Sequence, residues 1–179
     1  GVEIIGSAGY FISTFFVNKT NLRTDEYGGC FPNKIRIATE IVEGIRKSVG
    51  EDFLIIFRIP AMDMLEGGMS WEEICVLGQA LENSGVSIVS THFSWHESPV
   101  PTIATMVPRA AFTSVTKRLK SVINVPVITS NRINMPDVAE TVLANGDADL
   151  VSMARPFLAD GKIFEKIKEG REDEINTCI

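Results

Sequence analysis

The sequence predicts an α/β fold built around a parallel β-sheet. Short apolar runs alternate with amphipathic stretches along the whole chain. The apolar runs are nearly continuous, which is typical of parallel strands that are covered by helices. A helix-Gly-strand junction also recurs, at Ser84-Gly85 and at Asn145-Gly146. Together, these observations indicate a series of β-α units.

This pattern contains five strands, each followed by a helix. The predicted strands are residues 2–6, 53–59, 86–91, 125–130 and 149–153. The predicted helices are residues 33–48, 70–84, 112–122, 134–145 and 163–169. Ser70 and Glu73 have the spacing of a capping box at the start of the second helix. Pro136 lies in the first turn of the fourth helix, where proline is tolerated.

The loops that follow the first three strands are long, covering residues 7–32, 60–69 and 92–111. Long loops at the C-terminal ends of strands are typical of a (β/α)8 barrel, which holds its chemistry there. No Gly-x-Gly-x-x-Gly follows a strand, so the dinucleotide-binding α/β fold lacks its usual signal. We therefore predict a partial TIM (β/α)8 barrel in which about strands four to eight are present.

Both ends of the sequence fit this partial barrel. The chain starts in a strand pattern without Met, and it stops at residue 179 without a polar tail. At least three strands of a closed barrel would precede residue 1. We expect residues 1–179 to be the C-terminal part of a barrel domain that belongs to a longer protein.

Composition and charge argue against several classes of protein. The 179 residues are 45% hydrophobic and 22% charged, an ordinary globular composition. The formal net charge of -6 argues against binding to nucleic acid or to an anionic membrane surface. No apolar run approaches the roughly 18 residues of a membrane span, and residue 1 is not followed by a basic n-region or a cleavage site, so we expect no export. Three widely separated cysteines fit a reducing compartment, so we expect a cytoplasmic protein.

Two arginines follow the last two predicted strands and point to a phosphate site. Arg132 lies two positions after the end of the fourth strand, and Arg155 lies two positions after the end of the fifth, beside a helix start. The loops after the last two strands of a barrel commonly bind phosphate, and arginine pairs well with it. The alternative is a pair of surface arginines, but a cation at a helix N-terminus opposes the helix dipole.

Arg58 lies inside the apolar second strand. Burial of an arginine is costly without an anion or carboxylate nearby. One interpretation is a structural ion pair with Asp63 or Glu66. The other is a cation directed from the barrel mouth at the anionic edge of a ligand.

Tyr10 and the two histidines are candidates for proton transfer. Tyr10 follows the first strand, and His92 and His96 follow the third. A packing aromatic and ordinary surface histidines are the alternatives. A metal site at His92 and His96 would need a helix, whereas Ser94 and Pro99 favour a loop. At the end of a barrel strand these side chains fit proton donation or substrate binding.

Several segments resemble one known family closely. They are GYFISTFFVNKTNLRTDEYGG, IIFRI, SWHESPVPTIATMVPRAAF, TSNRIN and DLVSMARPFLADG. They resemble the Old Yellow Enzyme superfamily of FMN-dependent NADH:flavin oxidoreductases, and most specifically its 2,4-dienoyl-CoA reductase branch. The resemblance covers essentially the whole chain.

The resemblance implies roles for residues on the cofactor side. Arg58 matches an arginine near the N1–C2=O edge of the flavin, where a cation stabilises the reduced ring. Asn131-Arg132 and Ala154-Arg155 match the site of the FMN phosphate. Cys178 matches the first ligand of a Cys-x-x-Cys-x-x-x-Cys motif for a 4Fe-4S cluster, whose other ligands would lie beyond residue 179.

The resemblance also implies roles on the substrate side. Tyr10 matches the tyrosine that protonates the carbon next to the one that receives hydride, and His96 matches a histidine that assists it. Lys19 replaces a common arginine in a loop that approaches substrate. His92 stands where the branch usually has a small residue. The last two differences bear on which substrate fits.

The implied function is reduction of an activated C=C bond in an enoyl or dienoyl substrate, expected to be a CoA thioester of fatty acid metabolism. In the longer protein, electrons from NADPH would pass through FAD and the 4Fe-4S cluster to FMN. Alternatives are another NADH:flavin oxidoreductase, an amine dehydrogenase, or an inert partial barrel when isolated. A phosphosugar aldolase or isomerase barrel would need a strand-end Lys or Glu, and neither Lys19 nor Glu3 fits well. The sequence leaves the oligomeric state open.

Overall fold

A single parallel sheet organises the protein. The computed structural model describes residues 1–177. Its five strands lie side by side in sequence order, β1-β2-β3-β4-β5, and every neighbouring pair is parallel. The strands are β1 Val2–Ile5, β2 Ile55–Met62, β3 Ile88–Phe93, β4 Val127–Thr129 and β5 Leu150–Val151. Sequential order without reversals is the order of a barrel wall.

Helices connect the successive strands and also follow the last strand. They are α1 Ser13–Phe16, α2 Phe31–Val49, α3 Trp71–Asn83, α4 Thr113–Lys120, α5 Pro136–Ala144, α6 Arg155–Ala159 and α7 Ile163–Lys168, with a 3-10 turn at Glu172–Glu174. The capping box predicted at Ser70 and Glu73 is confirmed, since each accepts a hydrogen bond from the backbone of the other. Pro136 opens α5, as predicted. None of the helices in residues 1–177 is long and apolar enough to cross a membrane.

The two faces of the sheet differ in what covers them. Alternate strand residues pack under the helices and are almost fully buried, among them Phe57, Ile59, Val89 and Val127. They meet helix residues that include Ala38, Val42, Leu77, Leu81 and Leu119 in one core cluster. The opposite face, here called the inner face, comprises Glu3, Ile56, Arg58, Ile88, Ser90, His92, Ile128 and Leu150. Helices therefore cover one face, and the inner face is left for the interior of a barrel.

Two boundaries differ from the prediction in ways that affect the site. β2 continues to Met62, three residues past its predicted end, and its register with β3 shifts between Pro60 and Met62. β3 continues to Phe93, so His92 lies in a strand and not in a loop. Both extensions carry the strands through Pro60 and His92, which pair in register. The short helix α1 lies within a stretch predicted as loop, whereas α6 begins at Arg155, beside the helix start that the sequence predicted.

The sheet is open within the described residues. β1 pairs only with β2 there, and β5 pairs only with β4. Apolar side chains near these two edges are exposed, among them Val2, Ile5 and Leu150. A closed barrel would cover both edges. The arrangement is that of a partial barrel wall, as the sequence predicted.

Candidate active site

A cavity of about 230 Å³ lies at the C-terminal ends of β2 to β5. Residues from all four strand ends line it, including Arg58, His92, Ser130, Arg132, Ser152 and Arg155. The C-terminal ends of parallel strands meet at one edge of a sheet, which is where barrels place their chemistry. The structure thus brings the three arginines predicted from sequence to one site. We call it the strand-end cavity.

Strand alternation explains why Arg58 reaches this cavity. Its neighbours Phe57 and Ile59 are buried under the helices, so Arg58 must point to the inner face. The arginine forms an ion pair with Glu3 of β1, with Nη2 to Oε1 at 2.8 Å and Nε donating to the same oxygen at 2.9 Å. The predicted ion pair of Arg58 with Asp63 or Glu66 is therefore wrong. Both paired side chains stay about a third exposed, so a ligand can still approach the guanidinium.

Asn131 and Arg132 adopt an unusual backbone conformation. Both have positive φ, 68° and 57°, which is uncommon for residues other than glycine. Contacts with the loop after β3 hold them there. The Asn131 amide donates to Thr102 Oγ1 at 2.8 Å, and Arg132 Nε donates to the carbonyl of Val107 at 2.8 Å. Strain that the surroundings maintain in this way is typical of ligand-binding turns.

Arg132 and Arg155 differ from Arg58 in their charge balance. Neither forms an ion pair with a carboxylate in the described part of the chain. Arg155 is the first residue of α6 and is exposed, as is the preceding Ala154. Two cations with no acidic partner beside one cavity create a site that favours an anion.

Tyr10 and His96 lie against each other. Their ring centroids are 5.0 Å apart with an interplanar angle of 76°, an edge-to-face contact. The backbone N–H of His96 donates to the carbonyl of Ala8 at 3.4 Å, which ties the loop after β3 to the loop after β1. Both side chains are exposed. Two groups suited to proton transfer thus form one unit, in the loops at the same end of the sheet as the strand-end cavity.

A buried carboxylate holds the His96 loop, and the sequence reasoning missed it. Asp63 accepts a hydrogen bond from Trp95 Nε1 at 2.7 Å and another from the Met69 N–H at 2.8 Å. Burial raises the pKa of Asp63, and these two hydrogen bonds oppose the rise. Gly9 has φ of +84°, and a Cβ there would lie 2.9 Å from the Trp95 ring. Glycine therefore allows Trp95 to pack beneath the Tyr10 loop.

His92 was predicted to lie in a loop, and the structure places it on the inner face between Arg58 and Ser130. Its Nδ1 is buried and has no hydrogen-bond partner within residues 1–177. Burial, followed by the positive charges of Arg58 and His96, lowers the pKa of His92 to about 4. The imidazole is therefore neutral near pH 7. Alternation along β3 past the buried Thr91 was the signal that could have placed it.

Two sequence-predicted residues lie away from this arrangement. Lys19 is exposed on the turn that follows α1, and it does not line the strand-end cavity. Cys178 lies outside the described residues, so its role as a cluster ligand stays a prediction. Within residues 1–177, no group of three or more His, Cys, Asp or Glu side chains is arranged to hold a metal ion.

Comparison with known proteins identifies the family. The profile of the NADH:flavin oxidoreductase / NADH oxidase family matches residues 1–174. The chain belongs to this family. The resemblance to the Old Yellow Enzyme superfamily is thereby confirmed, and the match extends from β1 through the 3-10 turn.

Individual members of the family are similar over the whole chain. A metal reductase from Desulforamulus reducens is 41% identical over 179 residues, covering 100% of this chain and 27% of that protein. An NADH oxidase from Thermoanaerobacter brockii is 38% identical, covering 100% of this chain and 28% of that protein. A structure of 2-naphthoyl-CoA reductase in complex with 2-naphthoyl-CoA superposes with a TM-score of 0.95 at 36% identity, covering 99% and 27% of the two chains. The chain spans little more than a quarter of these relatives.

The residues of the strand-end cavity fit FMN, the cofactor that the family implies. FMN has a polar flavin ring at one end, a phosphate at the other and a hydroxylated ribityl chain between them. Arg132 and Arg155 provide cations that have no carboxylate partner within residues 1–177. Arg58, about a third exposed, provides a further cation two strands from Arg132 and three strands from Arg155. His92 lines the cavity between them and adds an imidazole, a side chain that can hydrogen-bond to a ligand hydroxyl.

Proposed function

We propose that this chain is the C-terminal part of the flavin barrel of an FMN-dependent oxidoreductase. The enzyme would reduce an activated C=C bond of an enoyl or dienoyl substrate, with electrons from NAD(P)H. The observation that carries the proposal is the placement of the Tyr10–His96 pair at the same sheet edge as a cavity with three arginines. An anion-binding cavity beside a proton-donating pair is what this reaction requires.

The arginines would bind and orient the cofactor. Arg132 and Arg155 would hold the phosphate of FMN, with Asn131 and Ala154 shaping the turns that present them. Arg58 would contact the flavin ring, where a fixed cation favours negative charge on the reduced form. Its ion pair with Glu3 fixes the guanidinium on the inner face. Such preorganised charges need no rearrangement when the charge on the ring increases.

Tyr10 and His96 would act on the substrate. When bound, FMN supplies hydride chemistry to one carbon of the double bond. The Tyr10 hydroxyl would donate a proton to the neighbouring carbon, and His96 would assist through its contact with the Tyr10 ring. Asp63, through Trp95, keeps the His96 loop in place. Lys19, on the exposed turn after α1, would approach the polar part of the substrate.

One similar structure supports a CoA thioester as the substrate class. The similar 2-naphthoyl-CoA reductase was solved with 2-naphthoyl-CoA bound. A thioester carbonyl conjugated to C=C makes the far carbon electrophilic, which hydride transfer needs. We therefore propose an enoyl- or dienoyl-CoA as the substrate of the longer protein.

The longer protein would carry the remaining electron carriers. The relatives are almost four times the length of this chain. We propose that preceding strands complete the barrel, and that Cys178 is the first ligand of a 4Fe-4S cluster. FAD and NADPH would bind in following regions. The proposal predicts cysteines three and seven positions after Cys178 in the full-length polypeptide.

The test uses the purified full-length polypeptide. Heat release of its yellow chromophore should yield FMN, and the protein should oxidise NADPH when a 2,4-dienoyl-CoA is added. Release of no FMN would rule out the flavin assignment and favour a phosphosugar aldolase or isomerase. FMN release with oxidation of a secondary amine, and no dienoyl-CoA reduction, would instead indicate the amine dehydrogenase alternative.

A further inference from the structure

His92 lines the strand-end cavity from β3. The sheet order puts β3 between β2, which carries Arg58, and β4, which leads into Arg132. Thr91 faces the helices, where its hydroxyl contacts Thr116 of α4 at 2.9 Å. His92 must therefore face the inner side, and it lines the cavity together with Arg58 and Ser130. Along the sheet, His92 lies between Arg58 on one side and the pair Arg132 and Arg155 on the other.

The spacing of the strands separates Arg58 from Arg132 and Arg155 by a distance comparable to the length of FMN. Neighbouring strands lie about 4.8 Å apart, so β2 and β5 are separated by about 14 Å. Under the proposed function, Arg58 at the β2 end would hold the flavin ring, and Arg132 and Arg155 at the β4 and β5 end would hold the phosphate. The chain that joins ring to phosphate must then cross the ends of β3 and β4, where His92 lies.

The polar atoms of His92 are not fully used by the protein. Nδ1 is shielded from solvent and has no hydrogen-bond partner in the described residues. A buried polar atom without a partner destabilises the folded state, which makes such atoms rare. A neutral imidazole has one donor and one acceptor nitrogen; because Nδ1 is shielded, a hydroxyl group in the cavity would hydrogen-bond to Nε2. Its cationic neighbour Arg58 has no acceptor and cannot accept a hydrogen bond from it.

We propose that His92 is a cofactor-binding residue whose imidazole hydrogen-bonds to a hydroxyl of the ribityl chain of FMN. The inference rests on the proposed function, because it assumes the flavin orientation given there. It adds a residue that the sequence analysis had assigned to the substrate pocket. Cofactor affinity and not substrate choice is then the property that His92 controls.

Binding of three flavins distinguishes the proposed contact to the ribityl chain from contacts to the ring and to the phosphate. FMN has ring, ribityl chain and phosphate, riboflavin lacks the phosphate, and lumiflavin lacks the ribityl chain as well. The flavin-free full-length protein is titrated with each, and the dissociation constants are measured by fluorescence quenching. In His92→Leu, FMN and riboflavin should bind about tenfold more weakly, the effect of one hydrogen bond. Lumiflavin should bind as it does to the wild type.

Matched variants control for side effects. Arg155→Ala should weaken FMN binding and leave riboflavin unchanged, since only FMN has a phosphate. His92→Gln keeps a donor and an acceptor and should recover part of the lost riboflavin affinity. His92→Ala removes the same hydrogen bond without adding bulk, so it replaces His92→Leu if the latter does not fold.

The outcomes distinguish this inference from the proposed function. Equal loss of all three flavins in His92→Leu and in His92→Ala, or no loss of any, would overturn the ribityl contact while leaving flavin binding intact. A wild-type protein that binds none of the three flavins would overturn the proposed function itself, and this inference with it.

Discussion

The three arginines at the strand ends differ in what balances their charge. Arg58 pairs with Glu3 on the adjacent strand, because both side chains alternate onto the inner face. Arg132 and Arg155 have no carboxylate partner within residues 1–177, and the second of them is exposed. An arginine with a fixed partner is suited to orienting a ligand's edge. One without a partner is suited to supplying the charge that a phosphate needs.

At the residue scale, Tyr10 gives a direct test of proton donation. In Tyr10→Phe of the full-length protein, reduction of the dienoyl-CoA by pre-reduced flavin should slow by about 100-fold or more, since a general acid contributes that much. Reduction of the flavin by NADPH should keep its wild-type rate, because that step uses no proton from Tyr10. Stopped-flow measurement of the two half-reactions checks both. Equal slowing of both would contradict the role.

His92 gives a pH-dependent prediction for the flavin-free protein. Its pKa is lowered to about 4 in the folded state, so the unfolded chain takes up the proton first as pH falls below about 6.5. Above pH 6.5 His92 is neutral in both the folded and the unfolded state, so it does not change the free energy of unfolding. As pH falls from 6.5 towards 4, protonation of the unfolded state lowers the free energy of unfolding by up to about 3 kcal/mol.

Denaturant unfolding at pH 7 and at pH 4.5 measures this effect. His92→Leu cannot take up the proton, so its stability should fall less between these two values than that of the wild type. Other groups titrate in both proteins, and the difference between the two pH dependences isolates His92. Identical pH dependence would show that His92 is not desolvated as described.

At the scale of elements, hydrogen bonds between loops position the site. Asp63, just past β2, accepts from Trp95, just past β3, and Trp95 packs against Gly9, just past β1. Three loops from three strands are thereby joined beneath Tyr10 and His96. Both contacts join residues more than 30 positions apart in the chain, so they form only when the loops approach each other. Such contacts order the pair before substrate arrives.

The hydrogen bonds of Asp63 to the neighbouring loops can be tested by replacing one carboxylate oxygen with an amide nitrogen. Asp63→Asn retains the shape but presents an amide N–H₂ to either the Met69 N–H or Trp95 Nε1, which are both donors. One buried donor then loses its acceptor, and we expect a loss of about 1–3 kcal/mol in stability. Thermal unfolding measures this loss. Asp52→Asn, at an exposed site before β2, is the matched control and should change little.

A second connection holds the segment that leads to Cys178. Asp160, after α6, accepts hydrogen bonds from Lys166 Nζ at 2.5 Å and from the Asn176 N–H at 3.0 Å. The Lys166 hydrogen bond is the main cause that lowers the pKa of Asp160 to about 2. The carboxylate therefore stabilises the folded state above about pH 4, and that contribution is lost as pH falls towards 2.

Amide exchange at Asn176 checks this second connection. In Asp160→Asn the amide of residue 176 should exchange faster than in the wild type at pH 6, where the wild-type carboxylate is charged. The excess should shrink as pH falls from 4 towards 2, because the wild type then loses the charge as well. A constant excess across that range would show that the charge of Asp160 does not matter.

At the scale of the whole molecule, the sheet has two unpaired edges in the described residues. β1 and β5 would each meet another strand in a closed barrel, and exposed apolar residues such as Ile5 and Leu150 lie beside them. Residues 1–179 expressed alone should therefore associate through these edges. They should also bind FMN far more weakly than the full-length protein, because contacts from the other half of the barrel are missing.

Sedimentation and flavin titration of the two proteins side by side measure both effects. We expect larger species and weak flavin binding for residues 1–179, and tight stoichiometric binding for the full-length protein. Tight stoichiometric binding by residues 1–179 would show that the described wall is a sufficient flavin site. The idea of an inert isolated barrel piece would then be wrong.

The sequence by itself determined the five strands, most of the helices and the sheet edge at which Arg132 and Arg155 lie. Strand runs, the capping box at Ser70 and the helix-Gly-strand junctions depend on residues close together in the chain, so local patterns predict them. The same patterns place Arg132 and Arg155 after strands, which is enough to put both at one sheet edge.

Only the tertiary structure decided which side chains meet. Glu3 and Arg58 are 55 residues apart, and their pairing depends on the parallel register of β1 and β2. Likewise, the burial of His92 and the contact between Asp63 and Trp95 depend on how far β2 and β3 extend. These properties arise from register and packing between distant segments. The periodicity of a single segment carries no information about them.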